Sequence, residues 1–274
     1  MKENTIAWLK IRKWSSIAIL TLSSIVFCSN IANAAVIKTD IVMIVDESGS
    51  MGGVQANLRN NIGLFASILS AGGVDANYAL VGYGSSGDLI RLITDFTNAS
   101  GFAAAAANLV ASGGIEPAYD ATAYALNSLS SESGNLTYRA DAVKNMIVYT
   151  DEASNGDSEY SAATLDTLLK GNNSLFNAVV PNTGYTSLVN LATNNGGQFF
   201  NLGFLNTNDQ TVVEQFVEDF ALAKLQETLD FCQVNPNDPA CSNVEVPAPA
   251  SAGLLLIAVA AVSSRRLAKK KNQI

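Results

Sequence analysis

The sequence predicts an α/β fold: a doubly wound, mostly parallel sheet with one antiparallel edge strand and helices on both faces. Three observations carry that prediction. Strand-like apolar runs alternate with helix-like patterns from residue 38 to residue 229, the order expected of repeated βαβ units. One pair of strand-like runs, residues 79–83 and 89–93, is separated only by Gly84-Ser85-Ser86-Gly87-Asp88; that is too short for a crossover helix and right for a hairpin, which adds one antiparallel strand at an edge. Two apolar runs stop at carboxylates, one at Asp46 and one at Asp151, and open α/β sheets gather their ligand sites at the carboxyl ends of strands.

The elements follow in chain order. Residues 41–45, Ile-Val-Met-Ile-Val, form a continuous apolar run that fits a strand buried on both faces. Val54, Leu58, Ile62, Phe65 and Leu69 then recur at three- and four-residue steps, one face of a helix. The hairpin strands come next, followed by an Ala-rich helix at 102–110 and a second helix at 118–129. Residues 146–149 read as a strand, 161–169 as a helix, 175–180 as a strand, 185–192 as a helix and 197–204 as a strand. The last helix opens with the capping-box pattern Thr211-Val212-Val213-Glu214 and shows an apolar face of Val213, Phe216, Val217 and Phe220. A domain of about 190 residues buries roughly 70% of its unfolded surface and needs no metal to be stable.

The two ends read differently from this body. Lys2, Lys10, Arg12 and Lys13 precede an apolar stretch at 17–27, and Ala32-Asn33-Ala34 follows. That is the layout of a secretory signal peptide, residues 1–34, cleaved after Ala34. Residues 246–264 are uncharged and are followed by Arg265, Arg266, Lys269, Lys270 and Lys271, an apolar span with the cations that mark a cytoplasmic flank. Between domain and tail, residues 230–246 read as a short loop and a Pro-containing stalk. Cys232 and Cys241 lie in that segment; in an oxidising compartment they pair as a disulfide, whereas two thiols with no histidine make an incomplete zinc site.

Residues 35–264 hold seven basic and 23 acidic residues, a net charge of −16. So acidic a body repels phosphate backbones, which argues against nucleic-acid binding and for an affinity for cations. The chain contains no histidine, so a Ser-His-Asp triad is excluded, and no GxSxG elbow is present. Gly82-Tyr83-Gly84-Ser85-Ser86-Gly87 matches the dinucleotide pattern G-x-G-x-x-G, but a strand follows it where a helix is required. Metal-assisted hydrolysis needs a base beside the ion, for which Glu47 and Glu152 are the available carboxylates.

The candidate site begins at Asp46, Ser48 and Ser50, three small oxygen-bearing side chains at alternate positions after the first strand. This is hard-ligand chemistry suited to Mg²⁺ or Mn²⁺; the same residues also suit an ordinary Ser/Gly turn. An α/β sheet with Asp46-x-Ser48-x-Ser50 after its first strand resembles the von Willebrand factor A domain. The resemblance covers residues 38–229 and implies a metal-ion-dependent adhesion site. In the A domains of the integrin β family, a Glu stands shortly before an aromatic-Asp-Ala triplet, as Glu116 stands before Tyr119-Asp120-Ala121; many other A domains carry a Thr where this chain has Ile115. Asp151, ending the run 146–149, matches the last member. The resemblance therefore implies a metal set of Asp46, Ser48, Ser50, Glu116 and Asp151, holding Mg²⁺ (or Mn²⁺ or Ca²⁺), with an acidic side chain of a protein or matrix ligand completing the shell. Met51-Gly52-Gly53-Val54 offers no carboxylate for an adjacent regulatory ion. The tail, residues 247–271 with Val246-Pro247-Ala248-Pro249-Ala250 at its start, resembles a PEP-CTERM sorting signal, with Ala248 where Glu is usual. That implies exosortase processing or a membrane anchor at the surface of a Gram-negative bacterium. The resulting expectation is an exported, non-enzymatic binding module, with a structural role in matrix or biofilm as the alternative.

Overall fold

The computed structural model describes residues 36–86, 90–131 and 134–241. The segments read as signal peptide and sorting tail lie outside these residues, and no described helix is long and apolar enough to cross a membrane. Six strands form one sheet in the order β3-β2-β1-β4-β5-β6. They are β1 (Ile37–Asp46), β2 (Val74–Tyr83), β3 (Ile90–Thr97), β4 (Ala142–Tyr149), β5 (Leu175–Val180) and β6 (Phe199–Asn201). Every pairing is parallel except that of β2 with β3. The antiparallel strand sits at the edge, as the short 84–88 connection requires.

The central strand shows why the apolar run is unbroken. β1 pairs with β2 on one side and β4 on the other, and both of its faces are covered. Ile41, Met43 and Val45 pack into one core with α1 (Gly52–Ala71), α2 (Ala99–Ala105) and α6 (Gln210–Val234). Val42 and Ile44 pack into the other with α3 (Ala118–Ala125), α4 (Ala162–Gly171) and α5 (Thr186–Asn194). The face predicted for the first helix is the one α1 buries: Val54, Leu58, Ile62, Phe65 and Leu69 are all in the core. Each such side chain contributes about 1.5–3 kcal/mol on leaving water, which outweighs the weak helix propensity of α1's glycines and asparagines.

Three local expectations are corrected. The run 197–204 is a strand only over Phe199–Asn201; the Asn201 side chain then accepts a hydrogen bond from Gly203 N at 2.8 Å and turns the chain into a 3-10 turn at Leu202–Phe204. The last helix starts one residue before the Thr211 box. Asp209 is its N-cap, accepting from Thr211 N and Val212 N, because a carboxylate at the positive end of a helix is a stronger acceptor than a hydroxyl. The helix expected over 118–129 ends at Ala125, and Asn127 adopts a left-handed conformation (φ 56°), a common way for Asn to stop a helix.

α6 runs to Val234 and carries Cys232, which is disulfide-bonded to Cys241. The bridge packs with Phe231 and Ala240 against Ile37, Val143 and Leu175. These are residues from the first turns of β1, β4 and β5, at the amino end of the sheet.

Candidate metal centre

At the carboxyl end of the sheet, β1 and β4 end side by side, with Val45 level with Tyr149. Each strand is followed at once by an acidic loop. Asp46 is fully buried. Its Oδ1 accepts Ser48 N–H at 2.6 Å, and its Oδ2 accepts the Thr150 hydroxyl at 3.0 Å. The loop then makes one 3-10 turn, Gly49–Met51, and enters α1. Met51 is buried and anchors that turn, while Gln55 reaches back from the first turns of α1 to donate to Asp46 O (3.1 Å) and Val110 O (2.8 Å). Ser48 Oγ and Ser50 Oγ lie 3.3 Å apart; Ser48 is buried and Ser50 is exposed. The two hydroxyls thus lie together on the Asp46 loop.

The third loop brings in Glu116, which is 1% exposed. Its backbone is clamped to the loop after β4: Glu116 N donates to Asn155 Oδ1 at 3.1 Å, and Asn155 N donates to Glu116 O at 3.0 Å. Gly113 stands nearby at φ 122°, and a side chain there would run into the Gly84 carbonyl. Only glycine permits that approach of the loop to the end of β2. Asp151 lies two residues past the end of β4, and its carbonyl accepts the Tyr185 hydroxyl at 2.6 Å.

Asp46, Glu116 and Asp151 each offer a carboxylate oxygen, and these three atoms lie within 4.8 Å of one another. Glu116 Oε2 and Asp151 Oδ1 are buried with no hydrogen-bond partner. None of the ion pairs among the described residues involves any of the three. Two carboxylates at such a distance repel by about 3 kcal/mol at an effective dielectric constant near 20. The protons respond accordingly. Burial pushes Glu116 up to about 8, helped by Asp46, Glu152 and Asp151. Burial also raises Asp46 above its ordinary value, against the hydrogen bonds from Ser48 and Thr150 that lower it, with Asp151 adding to the rise. Buried oxygens without donors, grouped with hydroxyls and reached by no ion pair among the described residues, fit a hard divalent ion. The residues available to hold it are those three carboxylates with the Ser48 and Ser50 hydroxyls.

Several supporting residues escaped the sequence reading. Thr150 ties Asp46 to the β4 loop and accepts from Glu152 N at 3.0 Å; a hydroxyl just before Asp151 was the only signal. Asp120 and Asp157 exchange roles between α3 and the loop before α4. Asp120 accepts from the backbone N–H of Ser158, Glu159 and Tyr160, and Asp157 Oδ1 accepts from Tyr119 N and Asp120 N. Glu47 is not a base beside the site. Its buried carboxylate is held by Arg91 Nε (2.9 Å) and Nη2 (2.5 Å) and by Val110 N (2.8 Å). Gly82, the first glycine of the 82–87 pattern, serves packing: a side chain there would collide with the Glu47 carboxylate.

The family model for the von Willebrand factor type A domain matches residues 40–219. No curated protein matches the chain. Among solved structures, the SpRpn10 VWA domain is 11% identical with a TM-score of 0.49, the match covering 65% of this chain and 93% of that one. Proximal thread matrix protein 1 from the mussel byssus is similar in two structures. Identities are 16% and 17% and TM-scores 0.43 and 0.45, with 67% and 68% of this chain covered. The match spans 46% of the byssus chain in both, a little under half of its length.

Proposed function

This chain belongs to the von Willebrand factor type A domain family, and from that premise we propose that it is an exported binding protein that engages its ligand through a divalent ion, Mg²⁺ with Mn²⁺ or Ca²⁺ as substitutes. The carrying observation is the grouping of carboxylate oxygens of Asp46, Glu116 and Asp151 within 4.8 Å of one another, with Glu116 Oε2 and Asp151 Oδ1 buried and partnerless. A bound ion supplies an electrophilic centre to which an Asp or Glu of a protein or matrix ligand can attach. The chain's residues do the rest. Asp46, Glu116 and Asp151 supply negative charge, and Ser48 and Ser50 supply neutral oxygens. Thr150 and Gln55 fix the Asp46 loop, and Asn155 fixes Glu116. Ile115, 53% exposed beside Glu116, gives the rim an apolar contact for the ligand.

Binding without turnover is the reading that the donor set supports. The chain has no histidine, Glu47 is sealed against Arg91, and Glu152 lies exposed on the loop with its N–H given to Thr150. The apolar stretch with its Ala32-Asn33-Ala34 end supports export, as does a disulfide, which suits an oxidising compartment. The tail read as a PEP-CTERM signal supports delivery to the surface of a Gram-negative bacterium, held there by its apolar segment until exosortase processing. The test is capture of exported proteins by the purified chain with Mg²⁺, with EDTA, and with Asp46→Ala. Capture that needs Mg²⁺ and fails in the variant supports the proposal. Capture unchanged in EDTA overturns it.

A further inference from the structure

The sheet face beneath α6 holds a second buried polar group that metal binding does not use. Lys224 of α6 and Asn177 of β5 are fully buried, and Glu227, one turn further along the helix, is 5% exposed. Lys224 Nζ lies 2.7 Å from both Glu227 carboxylate oxygens and touches Asn177 Oδ1. The Asn177 carboxamide is fixed from both ends. Its Nδ2 donates to Asn145 Oδ1 (2.9 Å) and Glu227 Oε2 (3.1 Å), and its Oδ1 accepts Gln198 N–H at 2.8 Å. The rings of Phe200 and Phe220 close over Nζ, with centroids at 4.6 and 5.1 Å.

A buried Lys–Glu pair alone adds little stability, because desolvation offsets the attraction. The third member makes this arrangement chemical. An amine, a carboxamide carbon one bond from the contacted oxygen, and a carboxylate touching both nitrogens stand in an aromatic shell. We propose that Lys224 and Asn177 become joined by an intramolecular isopeptide bond, with Glu227 carrying protons between the two nitrogens. Lys224 Nζ gives a proton to Glu227 and attacks Asn177 Cγ, forming the Nζ–Cγ bond. The Gln198 N–H donates to the oxygen on which negative charge develops. The Cγ–Nδ2 bond then breaks as Glu227 returns protons from Nζ to the departing nitrogen. An ammonium, a carboxylate and a primary amide become a secondary amide, a carboxylate and a released ammonium ion, with no oxidant or reductant. Burial supplies the nucleophile: it brings the Lys224 amine down to about 8, against the opposing pull of Glu227. Fixed placement supplies the rest of the rate, since held groups react as if at very high concentration.

The bond would tie α6 to β5 across 47 residues of chain. α6 leads into the Cys232–Cys241 bridge, so pull from the C-terminal side would reach the sheet through covalent links. The test uses the full chain, reduced, unfolded and digested with trypsin, followed by mass spectrometry. No Lys or Arg lies between Lys170 and Lys224, and trypsin does not cut after an acylated lysine. The expected product runs from Gly171 through Lys224 into Leu225 uncut, lighter by one ammonia, with fragments joining Asn177 to Lys224. Glu227→Gln should restore cleavage after Lys224 and the full mass. Wild-type cleavage after Lys224 with an unmodified 171–224 peptide overturns the proposal. So does an ammonia loss in a chain whose Lys224 is still cut, which marks a succinimide. The wild-type digest decides the matter even if the variant does not fold.

Discussion

The two ends of β1 bury one carboxylate each, and the contrast between them explains the site. Asp40 and Asp46 are both fully buried, and burial raises both above the ordinary carboxylate value. At the amino end the chain answers its own charge. Asp40 accepts Arg139 N at 2.7 Å and Arg139 Nε at 2.8 Å, and Arg139 Nη1 goes on to Asp75 at 2.9 Å. On the other face of the sheet, toward the same end, the Cys232–Cys241 bridge packs against Ile37, Val143 and Leu175. At the carboxyl end Asp46 meets two more carboxylates, and no ion pair among the described residues reaches any of the three. The same residue type on the same strand is a finished structural pair at one end and an open electrostatic debt at the other. On the proposed function, that unanswered charge is where the divalent ion would be held.

The comparison breaks most sharply on removal of one partner. Arg139→Ala strands Asp40 and should destabilise the domain by about 3 kcal/mol, read from chemical denaturation. Asp46→Asn removes repulsion at the other end, so without divalent ions it should leave stability unchanged or raise it by about 1 kcal/mol. Equal losses from the two variants would erase the distinction. Next in size is the bridge. Cys232→Ser should cost about 2–3 kcal/mol, the loop-closure value for so short a ring, while leaving ion binding intact. An ion affinity that falls with this variant would mean that the two ends are coupled.

Saturating Mg²⁺, at about a hundred times its dissociation constant, should add about 2.7 kcal/mol to the wild type and nothing to Asp151→Ala; thermal melts with and without EDTA check this. The metal-free protein should also depend on pH. Glu116 has an ordinary value of 4.5 and sits at about 8 in the fold. Its contribution is therefore fully present below pH 4.5 and is lost as pH rises through about 8. Glu116→Gln should flatten that decline, and a slope unchanged in the variant would assign it to other groups.

What was legible in the sequence was periodic or terminal. The Val54-to-Leu69 stripe placed α1, and the apolar runs ending at Asp46 and Asp151 placed the ends of β1 and β4, which the sheet brings side by side. Glu116 was reached through a spacing shared with a known family, and the fold brings its carboxylate to the other two. The supporting contacts were hidden because their partners are distant in sequence. Thr150 meets Asp46 across 104 residues, Arg91 meets Glu47 across 44, and Arg139 meets Asp40 across 99. Capping was misplaced for a local reason: Asp209 already caps the N–H groups of Thr211 and Val212, so the helix is under way where the Thr211 box would begin. The Lys224 cluster was invisible as well, since a lysine on a helix ordinarily reads as surface.

The most direct measurement is a calorimetric titration of Mg²⁺ into the purified protein at pH 7 in two buffers of different ionisation heat. With Glu116 at about 8, a divalent ion must displace its proton. The account predicts one ion bound with about one proton released, and neither event in Asp46→Ala. An ion that binds equally well in Asp46→Ala, or a wild type that binds none, would contradict it.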